Sequence, residues 1–291
     1  MGPIREILEK LGLVDNANLE VLSSRTRDRE NITVFRDKIT EVIFIDDFPV
    51  DDAIYKAGNY RKDLEKLYGK RDYEIGVDLK RRLSAYKQFY VGKKIVEFGC
   101  GEGSFLEAVY PFAENVLGIE LEEASISKIN SIGIDCRKDF SKTENGIYDS
   151  LFCFHTLEHL QDPIRFLRQF KEKVRTNGHI IIEVPHANDF LLRYIKTDEF
   201  RDFILWSQHL ILHTRSSLEC FLKFAGFKNF MIQGIQRYQL SNHFNWLVKG
   251  KPGGHKGLLS SIDSNELHRA YENSLRSIDA TDTLVAVISN E

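Results

Sequence analysis

The residues with the clearest chemical content lie in Glu97-Phe98-Gly99-Cys100-Gly101-Glu102-Gly103-Ser104. Glycines at alternate positions let a chain turn tightly and bring backbone N–H groups against a ligand with no Cβ in the way. A helix starting near Ser104 would add its unbonded N–H groups, which favour a polar or anionic ligand. Glu120, at the end of the next strand-like run, is placed to accept hydrogen bonds from both hydroxyls of a ribose. These features point to an adenosine-containing cofactor and leave a dinucleotide open. Ser104 stands where a dinucleotide fingerprint places its third glycine, so the turn reads G-x-G-x-G.

Such a turn needs a strand before it and a helix after it. Strand-like runs at Lys94–Phe98, Asn115–Ile119, Ile132–Asp135, Ser150–Phe154 and His179–Val184 alternate with helical stretches from Ser104, at Glu122–Ile129 and at Pro163–Val174. Pro163 suits the first turn of its helix, and Asn177-Gly178 reads as a stop before the fifth strand. Helical crossovers of this length imply a mainly parallel sheet covered on both faces. A helix at Ser216–Ala225, a strand at Lys228–Ile235 and a last strand at Thr283–Ile288 follow. Two inserts interrupt the repeat and are expected to form loops over a sheet edge. One, at 185–214, carries Phe190, Tyr194, Phe200, Phe203 and Trp206. The other, at 241–282, carries Asn242–Trp246 and Gly250–Lys256 before a short helix.

The 291 residues suffice for one large domain and a smaller appendage. We expect a small N-terminal β element over 1–54, built on Asn18–Leu22, Ile32–Phe35 and Glu41–Ile45. A helical lid or linker would follow over 55–90, and a cofactor-binding catalytic domain over 91–291. The formal charge of −3, from 40 basic and 43 acidic residues, gives no push toward nucleic acid or an anionic membrane. The cysteines Cys100, Cys136, Cys153 and Cys220 are scattered, which argues against a disulfide framework or a zinc knot and fits a reducing compartment. No run approaches the roughly 18 apolar residues of a membrane span. A cytoplasmic protein with no nucleic-acid partner is the expectation, and oligomeric state stays open.

The glycine turn with Glu120, the fourth strand running into Phe154-His155-Thr156-Leu157-Glu158-His159-Leu160, and the late strand pair together resemble the class I methyltransferases over roughly Lys94 to Ile288. That resemblance implies a doubly wound α/β fold whose seven-stranded, mainly parallel sheet has the order 3-2-1-4-5-7-6 with the last strand antiparallel. It also implies S-adenosyl-L-methionine as cofactor. Glu97, Gly99, Cys100 and Gly101 would then line its methionine and ribose portion, with Glu120 on the ribose. Asp139 would meet the adenine amino group and Phe140 its ring, with Phe154 and His155 bordering the methionine end. Tyr60, in Tyr55–Tyr60, resembles an aromatic segment that crosses the methionine carboxylate in some of these enzymes. His159 is expected to be architectural.

More loosely, Arg27-Asp28 with Ile32–Phe35 and Val42–Ile45 resembles the small zinc ribbon that precedes the catalytic domain of some sugar methyltransferases. A ribbon needs paired thiolates, and residues 1–60 contain no cysteine, so no metal is expected. Methyl transfer needs the acceptor held in line with the sulfonium, and an alcohol acceptor benefits from a general base. Histidine suits that role near neutrality, and His186, His243 and His209 are the candidates, with His213 also in the first insert. The likeness to bacterial methyltransferases of surface-polysaccharide and modified-sugar pathways implies a nucleotide-linked sugar or glycan acceptor, with O-methylation ahead of C- or N-methylation. Lys249, Lys251 and Lys256 around Pro252-Gly253-Gly254 could meet a diphosphate. The competing readings are an NAD-dependent oxidoreductase, a non-catalytic S-adenosylmethionine-binding protein and a small-molecule C- or N-methyltransferase.

Overall fold

The computed structural model describes residues 2–46 and 72–291. Pro3 opens the first helix, α1 (Pro3–Lys10), where a missing N–H costs nothing, and Ile4 and Leu8, one turn apart, are buried. The strands β1 (Leu19–Ser23), β2 (Val34–Asp37) and β3 (Ile43–Ile45) pair antiparallel in that order. The described chain resumes with α2 (Asp72–Ala85) and α3 (Lys87–Tyr90). Tyr60 and the other residues of Tyr55–Tyr60 lie outside the described residues.

The repeat then runs β4 (Lys94–Phe98), α4 (Ser104–Val109), β5 (Asn115–Ile119), α5 (Glu123–Ser131), β6 (Asp135–Arg137), β7 (Tyr148–Phe154), α6 (Pro163–Lys173) and β8 (Val174–Pro185). It closes with α7 (Asp198–Ile204), β9 (Ile211–Leu212), α8 (Arg215–Phe224), β10 (Asn229–Ile235), α9 (Leu240–Lys249), α10 (Asn265–Ser277) and β11 (Thr283–Ser289). Seven strands form the main sheet in the spatial order β6-β5-β4-β7-β8-β11-β10. β11 runs antiparallel to both neighbours and the remaining pairs are parallel. Numbered along the chain, that is the expected 3-2-1-4-5-7-6.

Side chains alternate across this sheet with period two. Val96, Leu151, Cys153, Ile180 and Ile182 enter one core with α6 and α8, whereas Ile95, Phe152, Phe154 and Ile181 enter the other with Phe105 and Leu106 of α4. Ile4, Leu8, Val42 and Phe44 join the first of these cores. Burying each of the two α1 side chains stabilises the fold by about 1.5–3 kcal/mol. β9, from the insert after β8, pairs with β3 and becomes the fourth strand of the N-terminal sheet.

Three expectations need correction. The third strand of the repeat is Asp135–Arg137 and not Ile132–Asp135, because α5 ends in a turn at Gly133, whose φ of 84° lies in the left-handed region. Asn177-Gly178 does not stop the chain. It sits inside β8, where the register slips between Tyr148/Val174 and Ser150/His179, and Asn177 holds a φ of 63°. The second insert is largely helical, because Ser241, Asn242, His243 and Asn245 of α9 are buried beside Trp246 and so hide the apolar periodicity a helix usually shows. Among the described residues no helix is long and apolar enough to cross a membrane.

Candidate active site

The turn after β4 is built so that only glycine fits. Gly99 has φ 75°, and a Cβ there would lie 2.3 Å from Thr156 Oγ1; Gly103 has φ 83°, and its Cβ would meet Ile129 at 2.7 Å. The Gly101 N–H donates to Glu120 Oε2 (2.8 Å), while the N–H groups of Leu121 and Glu122 donate to Oε1 (2.6 and 3.1 Å). Glu120 is thus fixed by the backbone of both strand ends, and its oxygens can still accept from a ligand, since a carboxylate has about four lone-pair sites. Glu97 is buried against this turn, and its Oε2 has no hydrogen-bond partner. Burial raises its carboxyl to about 8, with the neighbouring Glu120 adding to the shift and Arg82 opposing it.

Other sequence-chosen residues around the turn point in different directions. Cys100 faces inward, its Sγ 3.9 Å from that of Cys136, and the adjacent thiol and burial both push its pKa up. Asp139 is half-exposed and accepts from the N–H and hydroxyl of Ser141 (3.0 and 2.5 Å). Phe140 is only 3 % exposed and packs edge-on against Phe98 and Phe170 (5.4 and 5.9 Å between centroids). Phe154 stacks on Tyr86 (5.9 Å), with the Arg82 guanidinium 4.0 Å above its ring. His155 has φ 47° and a buried Nε2 without a hydrogen bond.

All of these residues border one cavity of about 1730 Å³ that extends from the glycine turn to the inserts. That exceeds the usual few hundred to 1,000 Å³ of a single-ligand pocket and suits two ligands side by side. α2 walls it on one side and is held there by ion pairs that sequence reading missed. Glu183, unexposed at the end of β8, accepts from Arg81 (2.8 and 2.9 Å), Arg82 (2.9 and 2.7 Å) and the Tyr86 hydroxyl (2.7 Å). Despite its burial, the two guanidinium groups hold its carboxyl well below the usual carboxylate range. Asp78 of α2 accepts from Arg237 Nε (3.0 and 3.1 Å), and Glu74 meets Lys256 (2.6 Å) and His255 (3.2 Å) of the second insert. The one available signal was an acidic residue inside the apolar run Ile180-Ile181-Ile182-Glu183-Val184.

The candidate bases divide sharply. The His186 side chain is unexposed; its Nδ1 donates to the Thr281 carbonyl (2.9 Å), and its Nε2 lies 3.7 Å from Asp279. His243 is buried in α9. Gln236 Oε1 accepts from the Asp282 N–H (3.2 Å), which orients the amide so that its nitrogen donates to His243 Nε2 (3.4 Å). Nδ1 therefore carries the imidazole proton and donates to the Tyr271 hydroxyl oxygen (2.6 Å). Burial lowers His243 to about 4 and keeps it neutral. His209 is half-buried, and its Nδ1 has no hydrogen bond. His213 is fully buried against Phe221 and bonded to the Ser217 hydroxyl. Two further carboxyl groups line the same end of the cavity: burial raises Asp189 to about 7 and Asp282 to about 6. Neither was singled out, because an aspartate beside a strand end is ordinary in sequence.

A doubly wound sheet of this order, with a glycine cradle and an acidic residue at the ends of its first two strands, is the architecture of class I methyltransferases. Residues 68–231 match the family described as "Methyltransferase domain", which is more than half of the chain, and the protein belongs to that family. It is an S-adenosylmethionine-dependent methyltransferase. Among curated proteins it is similar to the ubiquinone biosynthesis O-methyltransferase of Ralstonia nicotianae, at 25% identity over 167 residues, covering 53% of this chain and 70% of that one. The enzyme of the same name from Acinetobacter baylyi is 24% identical over 181 residues, covering 54% and 72%. Among solved structures, a SAM-dependent methyltransferase from Archaeoglobus fulgidus superposes with TM-score 0.55 at 18% identity, covering 79% of this chain and 99% of that one. The plantazolicin methyltransferase BpumL, solved in complex with SAH, gives 0.51 at 18%, covering 82% and 94%.

The donor set fits the cofactor. The turn can be this tight only because Gly99 and Gly103 lie against Thr156 and Ile129 with no Cβ between, and Glu97 Oε2 beside it is a buried acceptor without a hydrogen bond. Glu97 suits an ammonium group and Glu120 a pair of hydroxyls.

Proposed function

We propose that this chain methylates a hydroxyl of a nucleotide-linked sugar or glycan intermediate. The cofactor would lie along Glu97, Gly99, Gly101 and Glu120, with Asp139 at its adenine end and Phe154 and His155 at its methionine end. When bound, S-adenosylmethionine supplies an electrophilic methyl on its sulfonium. As the acceptor O–C bond forms and the S–C bond breaks, the hydroxyl proton must leave, and neutral S-adenosylhomocysteine remains. Among the three histidines the geometry favours His243 as proton acceptor. Tyr271 holds its proton on Nδ1, so the basic position is the Nε2 lone pair, which an acceptor hydroxyl would take over from its long bond with the Gln236 amide (3.4 Å). The complete burial of His186 and its bond to the Thr281 carbonyl suit a positioning role for that ring.

The observation that carries the sugar reading is the wall of the inserts. There Trp246 and Phe200 pack edge to face (5.1 Å) beside the buried polar groups Asn242, His243 and Asp189, an arrangement that offers a flat apolar face and several hydrogen-bonding groups to a compact polyol. Gly253 and Lys256 border the same cavity and could face a diphosphate, although Lys256 already pairs with Glu74. A phenolic acceptor is the second reading, favoured by the relatives named as ubiquinone biosynthesis O-methyltransferases. Transfer of labelled methyl from S-adenosylmethionine to a panel of nucleotide sugars, short glycans and phenols separates the two. A labelled sugar nucleotide or glycan supports the first reading; label confined to phenols overturns it.

A further inference from the structure

We propose that Asp189 and Asp282 form an ammonium-binding subsite of the acceptor cavity, so that the acceptor is an amino sugar whose free amine is held there while a nearby hydroxyl receives the methyl. The sugar rests on the glycan reading, whereas the subsite rests on the geometry of the two carboxyl groups. Both residues border the cavity, and the backbone of His186 links them. Its N–H donates to the Asp282 carbonyl (3.0 Å), and its carbonyl accepts from the Asp189 N–H (3.2 Å).

The fold uses one oxygen of each aspartate and leaves the other. Asp189 Oδ1 accepts from the Leu191 N–H (2.7 Å) and, at longer range, from the Leu192 N–H (3.4 Å), whereas Oδ2 has no hydrogen bond among the described residues. The residue is only 4 % exposed, so that oxygen is short of solvent as well as of a partner. Asp282 Oδ2 accepts from the Arg237 and Tyr238 N–H groups (2.9 and 3.1 Å). Its Oδ1 is buried, with the Thr283 hydroxyl beside the carboxyl. The Arg237 guanidinium draws the Asp282 carboxyl down but is bonded to Asp78, and Lys256 is paired with Glu74. Burial raises the Asp189 carboxyl, and Asp282 adds to the shift. A cation brought by the ligand would offset the desolvation of both groups and their mutual repulsion.

An ammonium group suits this pair because it carries three N–H donors and no acceptor, and its bonds to carboxylates are charge-assisted. Tyr238 and Trp246 border the same cavity and offer ring faces that favour a cation. An N-acetyl group would bring a carbonyl and a methyl instead and leave the carboxylates unpaired. The subsite also stands beside the proton acceptor. Phe190, next to Asp189 in the chain, stacks on His243 (6.0 Å between centroids). The Tyr271 phenol, bonded to His243, has its pKa raised by burial and then by Asp189 and Asp282. An amine held by the aspartates stays protonated and has no lone pair to attack a sulfonium, which directs the methyl to oxygen.

The test compares glucosamine with glucose, and nucleotide-linked glucosamine with its N-acetyl form. In NMR titrations of the full chain saturated with S-adenosylhomocysteine, glucosamine should bind about tenfold or more tighter than glucose. Asp189→Asn keeps an oxygen for the Leu191 and Leu192 N–H groups. It should bring glucosamine to within about threefold of glucose and leave S-adenosylhomocysteine affinity within about twofold. Asp282→Asn makes the same comparison if the first variant does not fold. Transfer of labelled methyl should favour the free-amine nucleotide sugar over its N-acetyl form by about tenfold or more, with the label on oxygen. Equal binding of glucosamine and glucose, a preference that survives in a folded variant, or label on nitrogen would overturn the proposal. A glucosamine preference alongside a failed nucleotide-sugar panel keeps the subsite and removes the nucleotide-linked acceptor; an active panel without an amine preference removes the subsite and keeps the glycan reading.

Discussion

The two ends of the cavity are made by different means. At the cofactor end, backbone does most of the work: three left-handed glycines shape the turn, and the N–H groups of Gly101, Leu121 and Glu122 hold Glu120. At the acceptor end, side chains from separate segments meet: Glu158 and His159 follow β7, Asp189 and His209 come from the first insert, and His243 comes from α9. A backbone-built site depends on local conformation and tolerates change in its surroundings. A site built from distant side chains can change its ligand by substitution without disturbing the sheet.

Glu183 holds α2, which walls the cavity, and its removal should be the heaviest blow. Glu183→Ala leaves Arg81 and Arg82 beside a buried space, with an expected loss of about 3–5 kcal/mol in denaturant unfolding. A loss under about 1 kcal/mol would mean that α2 is not held by this carboxylate. His243→Asn probes the acceptor end alone. It should lower kcat by about 100-fold or more and leave S-adenosylhomocysteine affinity within about twofold. Equal losses in both would make His243 structural. Gly99→Ala probes the cofactor end alone, where a Cβ must displace Thr156 and hold a positive φ. Calorimetry should show S-adenosylhomocysteine affinity falling by about tenfold, the equivalent of roughly 1.4 kcal/mol.

A further expected effect concerns pH. The folded-state pKa of Glu97, about 8, lies above its unfolded value of 4.5, so the folded protein binds the extra proton and this group costs stability as pH rises between those values. Relative to Glu97→Gln, the wild-type Tm should fall by about 3 °C or more from pH 5 to pH 8. Parallel Tm curves for the two proteins would show that Glu97 is ionised throughout.

What could be read without coordinates follows the same division. The strands Lys94–Phe98 and Asn115–Ile119 and the helix opening at Pro163 fall where the pattern placed them, because apolar alternation, glycine and proline act through near neighbours. The bulge at Asn177-Gly178 was misread because its residues look like any turn, and only backbone bonds to the distant Asn290, just past β11, keep them in the sheet. Buried polar residues made α9 look like a loop. Phe140 was legible as an aromatic residue after the third strand, but the core it enters with Phe98 and Phe170 exists only once β4 and α6 are packed.

By itself, the sequence determined most strands of the sheet, the glycine cradle and the acidic residue that faces it, since each depends on φ preferences and periodicities spanning a few residues; the order of the strands came from the family resemblance. Tertiary structure alone decided that β9 completes the N-terminal sheet, that Arg81 and Arg82 converge on Glu183, and that Glu158, His159 and His209 share one pocket wall. Those arrangements depend on burial and on the approach of side chains from separate segments. Nothing in the local chain encodes either.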